Sequence, residues 1–240
     1  MKRIALWAAL LLPCPAMTTG TPEIVVLLHG LGLGSWAMTR MESALARDGY
    51  RVINFSYPSR TLSLETLAET WLPQLLRTHS VEAAPRVHFV THSMGGILLR
   101  LYLRDHSIPN LGRAVMLAPP NAGSAVADHI NDFFVLRWFA SVNGPRLGTG
   151  PDSVPRSLGP WPETAGELGV IAGNRSLNPI FSGWLGGVPN DGKVTVASTR
   201  LTGMRDFLVL PHSHTWLQWC GDTIQQVRAF LHNGRFSTRN

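Results

Sequence analysis

The stretch Val87–Arg100, reading VHFVTHSMGGILLR, limits the fold of this chain more than any other part of it. Val87 to Thr91 is a short apolar run with β-branched members, the pattern of a buried strand. Ile97 to Leu103 is apolar again, and Arg100 and Arg104 have the spacing of one helix face. Ser93, Gly95 and Gly96 lie between the two runs. A chain can pass from strand to helix in so few residues only if small residues relieve the crowding at the corner. The sequence therefore predicts a strand, an abrupt turn and a helix, with the Ser93 hydroxyl pushed out at the carboxyl end of the strand. Beside it would lie the helix N-terminus, with free N–H groups and the positive end of the dipole. The plainer alternative is a core strand followed by a helix that Ser93 merely caps.

The segment Thr91-His92-Ser93-Met94-Gly95 resembles the nucleophile elbow of the α/β-hydrolases, G-x-S-x-G, with Thr91 in place of the first glycine. An earlier apolar run, Glu23 to Leu28, leads into His29-Gly30-Leu31-Gly32-Leu33-Gly34. A dinucleotide-binding loop would need another glycine at position 35, which is Ser, and an acidic residue after the next strand, where Asn54 and Ser56 stand. The loop instead resembles the H-G oxyanion loop of lipases and esterases. That resemblance implies the backbone N–H groups of Leu31 and Met94 as oxyanion donors. It places His29, Gly30 and His92 next to the substrate, with His29 bracing the loop rather than acting as a base.

Further strands are predicted at Arg51–Phe55, Arg113–Ala118, Leu168–Ala172 and Asp206–Leu210. Helices are predicted after Ser35 over Trp36–Arg47 and after Ser63, where Leu64, Leu67, Ala68, Trp71, Leu72 and Leu75 recur at helical spacing. Pro73 predicts a kink or break there, and the tryptophans are expected in the core. A closing helix over Thr223–His232 would be capped by Asp222. This alternation predicts an α/β fold, with a central, mostly parallel sheet of about six strands flanked by helices on both faces. Sites in such sheets open at the carboxyl ends of the strands, where the elbow and the glycine loop both fall.

The resemblance, which spans Thr21 to Phe236, implies the chain order serine, acid, histidine. Asp191, in the loop after the fifth strand, is the expected acid. Asp206 would begin a strand at the wrong end of the sheet, and Asp222 has a capping role. Ser213-His214-Thr215 matches the S-H-T segment before the final helix, so His214 is the expected base, with His212 as its rival. Ser124, in a P-x-x-G-S turn, is expected to cap a helix. Residues 125–166 form an insertion with an aromatic cluster at Phe133, Phe134, Trp138 and Phe139. It is expected to serve as a lid, with Phe133 and Phe134 touching substrate, or else to pack as an ordinary crossover.

Apolar residues make up 45% of the chain and charged residues 15%, which excludes a disordered polypeptide and suits one domain. The net charge of +6 comes without a basic run or stacked aromatics, so a nucleic-acid partner is not expected. A transient encounter with an anionic lipid surface is compatible with it. Cys14 and Cys220 make no disulfide framework, and no Cys/His spacing suits zinc; the resemblance implies a reaction that needs neither metal nor cofactor. Residues 1–17 combine Lys2 and Arg3, an apolar run and turn-forming residues, the layout of a secretory signal peptide. They predict export to the periplasm or beyond; initiation at Met17 would leave the chain cytoplasmic. The functional expectation is a serine hydrolase of the lipase or carboxylesterase type, acting on small-molecule or lipid esters through Ser93, His214 and Asp191. The alternatives are an acyl thioesterase or acyltransferase using the same three residues, and a non-catalytic binding protein on the same fold.

Overall fold

The computed structural model describes residues 20–132 and 141–237. Six strands form one sheet: β1 (Ile24–Leu28), β2 (Arg51–Asn54), β3 (Val87–His92), β4 (Leu111–Leu117), β5 (Glu167–Gly173) and β6 (Asp206–Leu210). They lie in the order β2-β1-β3-β4-β5-β6, and every pairing is parallel. All six were legible in the sequence, because a parallel sheet covered on both faces selects short, continuous apolar runs.

Alternation along each strand sorts the core into two layers. Val25, Leu27, Val90, Val115, Leu117 and Ile171 face one side. There they meet Met41 and Leu45 of helix α1 (Thr39–Arg47) and Val227 and Phe230 of the last helix, Gly221–Asn233. Ile24, Val26, Leu28, Phe89 and Met116 face the other side. There they meet helices α2 (Leu64–Thr66), α3 (Leu72–Thr78) and α4 (Met94–Asp105).

Several local expectations need correction. Ser35 does not cap its helix; it is the first residue of a 3-10 turn, Ser35–Met38, preceded by Gly34 without a side-chain cap. Trp36 is not core, since it is 56% exposed. The last helix begins at Gly221 after Cys220, so Asp222 sits in its first turn rather than at the cap. Ser63 does cap, its Oγ accepting the Thr66 N–H at 3.1 Å. The disturbance expected at Pro73 is a π-helical segment, Leu67–Trp71, inserted between α2 and α3. A widened turn removes both the missing donor and the ring clash that proline imposes on an α-helix.

Arg100 on α4 faces inward. It is 4% exposed and donates to Asn121 O, Asn121 Oδ1, Leu158 O and Gly159 O at 2.8–3.1 Å. Burial pulls its pKa down to about 10. The guanidinium thereby ties the elbow helix to the far end of the 125–166 insertion. The insertion contains the helix Ala125–Asp132 and short helical turns at Pro145–Leu147 and Val154–Ser157. Fully buried Asn143 holds it down. The Asn143 Oδ1 accepts the Leu64 N–H, and its amide donates to Ser59 O and Leu62 O, all at 2.8 Å.

Candidate active site

The turn between β3 and α4 has the predicted form. Ser93 has φ 53° and ψ −121°, a region that costs a non-glycine residue about 1–3 kcal/mol and needs a surrounding structure to hold it. Its N–H donates to Leu117 O at 2.8 Å, which anchors the corner to β4. A Cβ at position 95 would lie 2.5 Å from Leu28 O and 2.9 Å from His29 O. Only glycine lets the elbow helix pass so close to the end of β1. Thr91, where the motif more often has glycine, is wholly buried and its Oγ1 lacks a protein partner.

Three residues far apart in sequence meet at this corner. Ser93 Oγ lies 2.9 Å from His214 Nε2, and His214 Nδ1 lies 2.8 Å from Asp191 Oδ2. Asp191 and His214 are 2% and 4% exposed. A carboxylate accepts only, so Nδ1–H must donate to Asp191, which leaves Nε2 free to accept from the serine hydroxyl. The other carboxylate oxygen, Asp191 Oδ1, accepts the N–H groups of Lys193 and Val194 at 2.9 and 2.8 Å. The His214 N–H donates to Asp191 O at 2.9 Å, so backbone and ring are both registered on the same residue. Gly173, at the end of β5, makes room for this: a Cβ there would lie 2.4 Å from His212 O and 2.8 Å from Asp191 Cβ. Such a chain of hydrogen bonds can take a proton from Ser93 as the oxygen attacks a carbonyl carbon, and can stabilise the imidazolium that results.

The rival histidine faces elsewhere. His212 Nε2 lies 2.7 Å from Asp222 Oδ1. Among the described residues, His212, Cys220 and Asp222 bring their donor atoms within 4.8 Å of one another, a grouping that linear spacing did not reveal. Asp206 is also engaged, accepting the Phe207 and Phe236 N–H groups at 2.8 Å each.

The glycine loop after β1 passes close to Ser93: a Cβ at Gly30 would lie 3.2 Å from Ser93 Cβ. The N–H of Gly32 is committed to Ser59 Oγ at 3.0 Å and that of Leu33 to Gly30 O at 3.2 Å, whereas those of Gly30 and Leu31 have no acceptor among the described residues. The N–H of Met94 opens α4 and has no intrahelical acceptor. Gly30, Leu31 and His92 line the cavity beside Ser93. His29 does not, which corrects the expectation that it touches substrate. Its ring is fully buried and stacked on Tyr57 at 4.0 Å. Nδ1–H donates to Gly30 O at 2.8 Å, and Nε2 accepts the Tyr57 N–H at 3.1 Å. It braces the loop from behind, as a loop-supporting histidine should. His92 donates through Nε2 to His214 O at 3.0 Å, so it holds the base's backbone as well as the cavity wall.

The cavity has a volume of about 380 Å³. Leu31, Leu33, Val126, Leu147, Phe181 and Val194 give it a mainly apolar wall. Val126, Ala127, Ser141, Gly144 and Leu147 come from the insertion. Ser124 caps that insertion's first helix, its Oγ accepting the Ala127 N–H at 3.3 Å and donating to Lys193 O at 2.7 Å. Phe133, Phe134, Trp138 and Phe139 lie outside the described residues, as do residues 1–17.

Burial lowers the pKa of His29, His88 and His92. All three rings are neutral in the folded chain and accept a proton near pH 6.5 once unfolded. The unfolded state therefore binds more protons below that value, and folding stability is lost as the pH falls through 6.5. The expected loss is up to about 1.4 kcal/mol per pH unit for each ring until its folded pKa is reached. Thermal melts should show a midpoint that drops by several degrees between pH 7.5 and pH 5. A flat midpoint over that range would contradict the neutral assignment.

The sequence can now be set against known proteins. Residues 25–234 match the model of a family described as the alpha/beta hydrolase family. Probable esterase PIR7A of rice (Oryza sativa) is 29% identical over 116 residues, 45% of this chain and 44% of the rice protein. The match thus spans less than half the length of that relative. Bacillus licheniformis lipase BlEst2 superposes in its mature form with a TM-score of 0.62 at 21% identity, covering 85% of this chain and 89% of the lipase. Its propeptide form gives 0.68 at 19% identity, covering 92% of this chain and 52% of that one. A metagenomic carboxyl esterase gives 0.63 at 17% identity, covering 85% of this chain and 68% of the esterase. At such identities the structural likenesses speak to the fold. With the family match running from β1 to the end of the last helix, this chain belongs to the alpha/beta hydrolase family.

Proposed function

We propose that this protein is a serine hydrolase of carboxylic esters, with Ser93 as nucleophile, His214 as general base and acid, and Asp191 as the group that orients and stabilises His214. The single observation that carries this reading is the unbroken chain Ser93 Oγ–His214–Asp191, with contacts of 2.9 and 2.8 Å, at the wall of an apolar cavity. Ser93 Oγ attacks the ester carbonyl carbon while its proton passes to His214 Nε2. The oxygen of the tetrahedral intermediate points to the N–H groups of Leu31 and Met94, each such donor being worth ~10²–10³ in rate. His214 then returns the proton to the departing alcohol, which leaves an acyl group on Ser93. Water, deprotonated by the same histidine, releases the acid and restores the serine. Each step needs only side chains, backbone donors and water.

The cap reading of residues 125–166 is supported by the share of the cavity wall that they supply, and the wall's apolar character supports substrates with an acyl chain of some length. A panel of p-nitrophenyl esters and matched thioesters of increasing chain length tests this. Ester hydrolysis extending to medium-length chains is expected, with kcat/KM rising from the acetyl ester as the chain fills the cavity. Activity confined to the acetyl ester would contradict the acyl-pocket reading, and a preference for the thioesters would favour the thioesterase alternative, which uses the same residues.

A further inference from the structure

The cavity beside Ser93 has a mainly apolar wall, and its charged lining residues, among those described, are Arg60 and Lys193. Lys193 is placed there by the turn that carries Asp191. Its N–H is held by Asp191 Oδ1 at 2.9 Å, and its carbonyl oxygen is held by Ser124 Oγ at 2.7 Å. With both backbone groups pinned, the Cα is fixed at the cavity wall and only the side chain can move. The Asp191 carboxylate, engaged by His214 and by two N–H groups, acts on the Lys193 ammonium through space without forming an ion pair with it. Lys193 is exposed as a residue, yet desolvation lowers the pKa of its ammonium, and its charge acts on buried His92. Lys193 thus lines the cavity wall close enough for its charge to reach the histidine behind Ser93.

We propose that Lys193 anchors an anionic group of the substrate, so that the preferred ester joins an apolar chain to a carboxylate or a phosphate. An ammonium on a partly desolvated wall gains more from such a group than it would in open water, and it discriminates against a neutral chain that leaves it unpaired. The chain's net charge of +6 attracts anionic ligands. The hydrolytic half of this proposal rests on the esterase reading; the binding half does not.

Two measurements separate them. The first compares kcat/KM for the p-nitrophenyl half-ester of a medium-chain dicarboxylic acid with that for the neutral ester of the matching monocarboxylic acid. The anionic ester should be favoured by about tenfold, the ratio should collapse toward one in Lys193→Met, and Lys193→Arg should keep most of it. A wild-type ratio of one or less, or a ratio unchanged in Lys193→Met, would overturn the proposal. The second uses Ser93→Ala protein and calorimetry with octanoate, octyl phosphate and octanol. Both anions should bind roughly tenfold more tightly than the alcohol, and the advantage should vanish in Ser93→Ala/Lys193→Met. Whichever anion binds more tightly names the head group. Equal affinity for all three overturns the proposal even where esters are hydrolysed. Selective anion binding by a protein that hydrolyses no ester would sink the esterase reading alone.

Discussion

Ser93→Ala is expected to lower kcat/KM for a simple ester by about 10⁴–10⁶-fold while leaving the thermal midpoint within a few degrees of the parent. The size follows from the role: without the hydroxyl there is no acyl-enzyme, and what survives is the contribution of oxyanion donors and binding alone. The fold should tolerate the change, because alanine bears the same positive φ as serine and the corner is held by the Ser93 N–H bond to Leu117 O, which alanine keeps. Steady-state hydrolysis of p-nitrophenyl butyrate, with a melt of the same preparation, checks both halves. A loss smaller than about a hundredfold would mean that another group carries the reaction.

The second large effect lies in the histidine and its carboxylate. His214→Ala should cost about 10⁴–10⁶ in kcat/KM, whereas His212→Ala should stay within tenfold, since the His212 ring is turned to Asp222. Asp191→Asn tests the orientation more finely. Oδ1 of Asp191 accepts two backbone N–H groups, so an asparagine would set its oxygen there and its NH₂ toward His214 Nδ1. That NH₂ would force Nδ1 to accept and would put the ring proton on Nε2, facing Ser93. The base would then hold the wrong tautomer, and a loss of about 10⁴ in kcat is expected. Hydrolysis rates of the three variants, measured side by side, check the order. His212→Ala more damaging than His214→Ala, or Asp191→Asn close to the parent, would reverse the assignment.

What the sequence disclosed is what local patterns carry. The strands were readable because each is a short apolar run, and the elbow because Gly95 stands where a Cβ would meet β1 backbone. Ser93, His214 and Asp191 were legible through their order and their neighbours. Most of what the sequence did not disclose concerns side chains whose partners are remote in sequence. His29 was expected at the substrate but is stacked on Tyr57. Arg100, placed by its spacing on one face of the elbow helix, meets carbonyls from the end of the insertion. Asn143, within a Gly- and Pro-rich stretch that reads as loop, accepts from the first N–H of α2, a contact across 79 residues. Lys193 passes unnoticed beside Asp191, because nothing in N-D-G-K states which wall the side chain reaches. Ser35 and Asp222 were expected as caps on residue type alone, while the helices start one or two residues away from the positions such caps require.

The central claim is that Ser93 is an activated nucleophile, and phosphonylation tests it most directly. The folded protein, treated with an alkyl fluorophosphonate and examined by intact mass and peptide mapping, should take up one phosphonyl group per chain on the peptide that contains Ser93, with none taken up by Ser93→Ala or by heat-unfolded protein. Labelling at another residue, or no labelling of the folded chain, would contradict it.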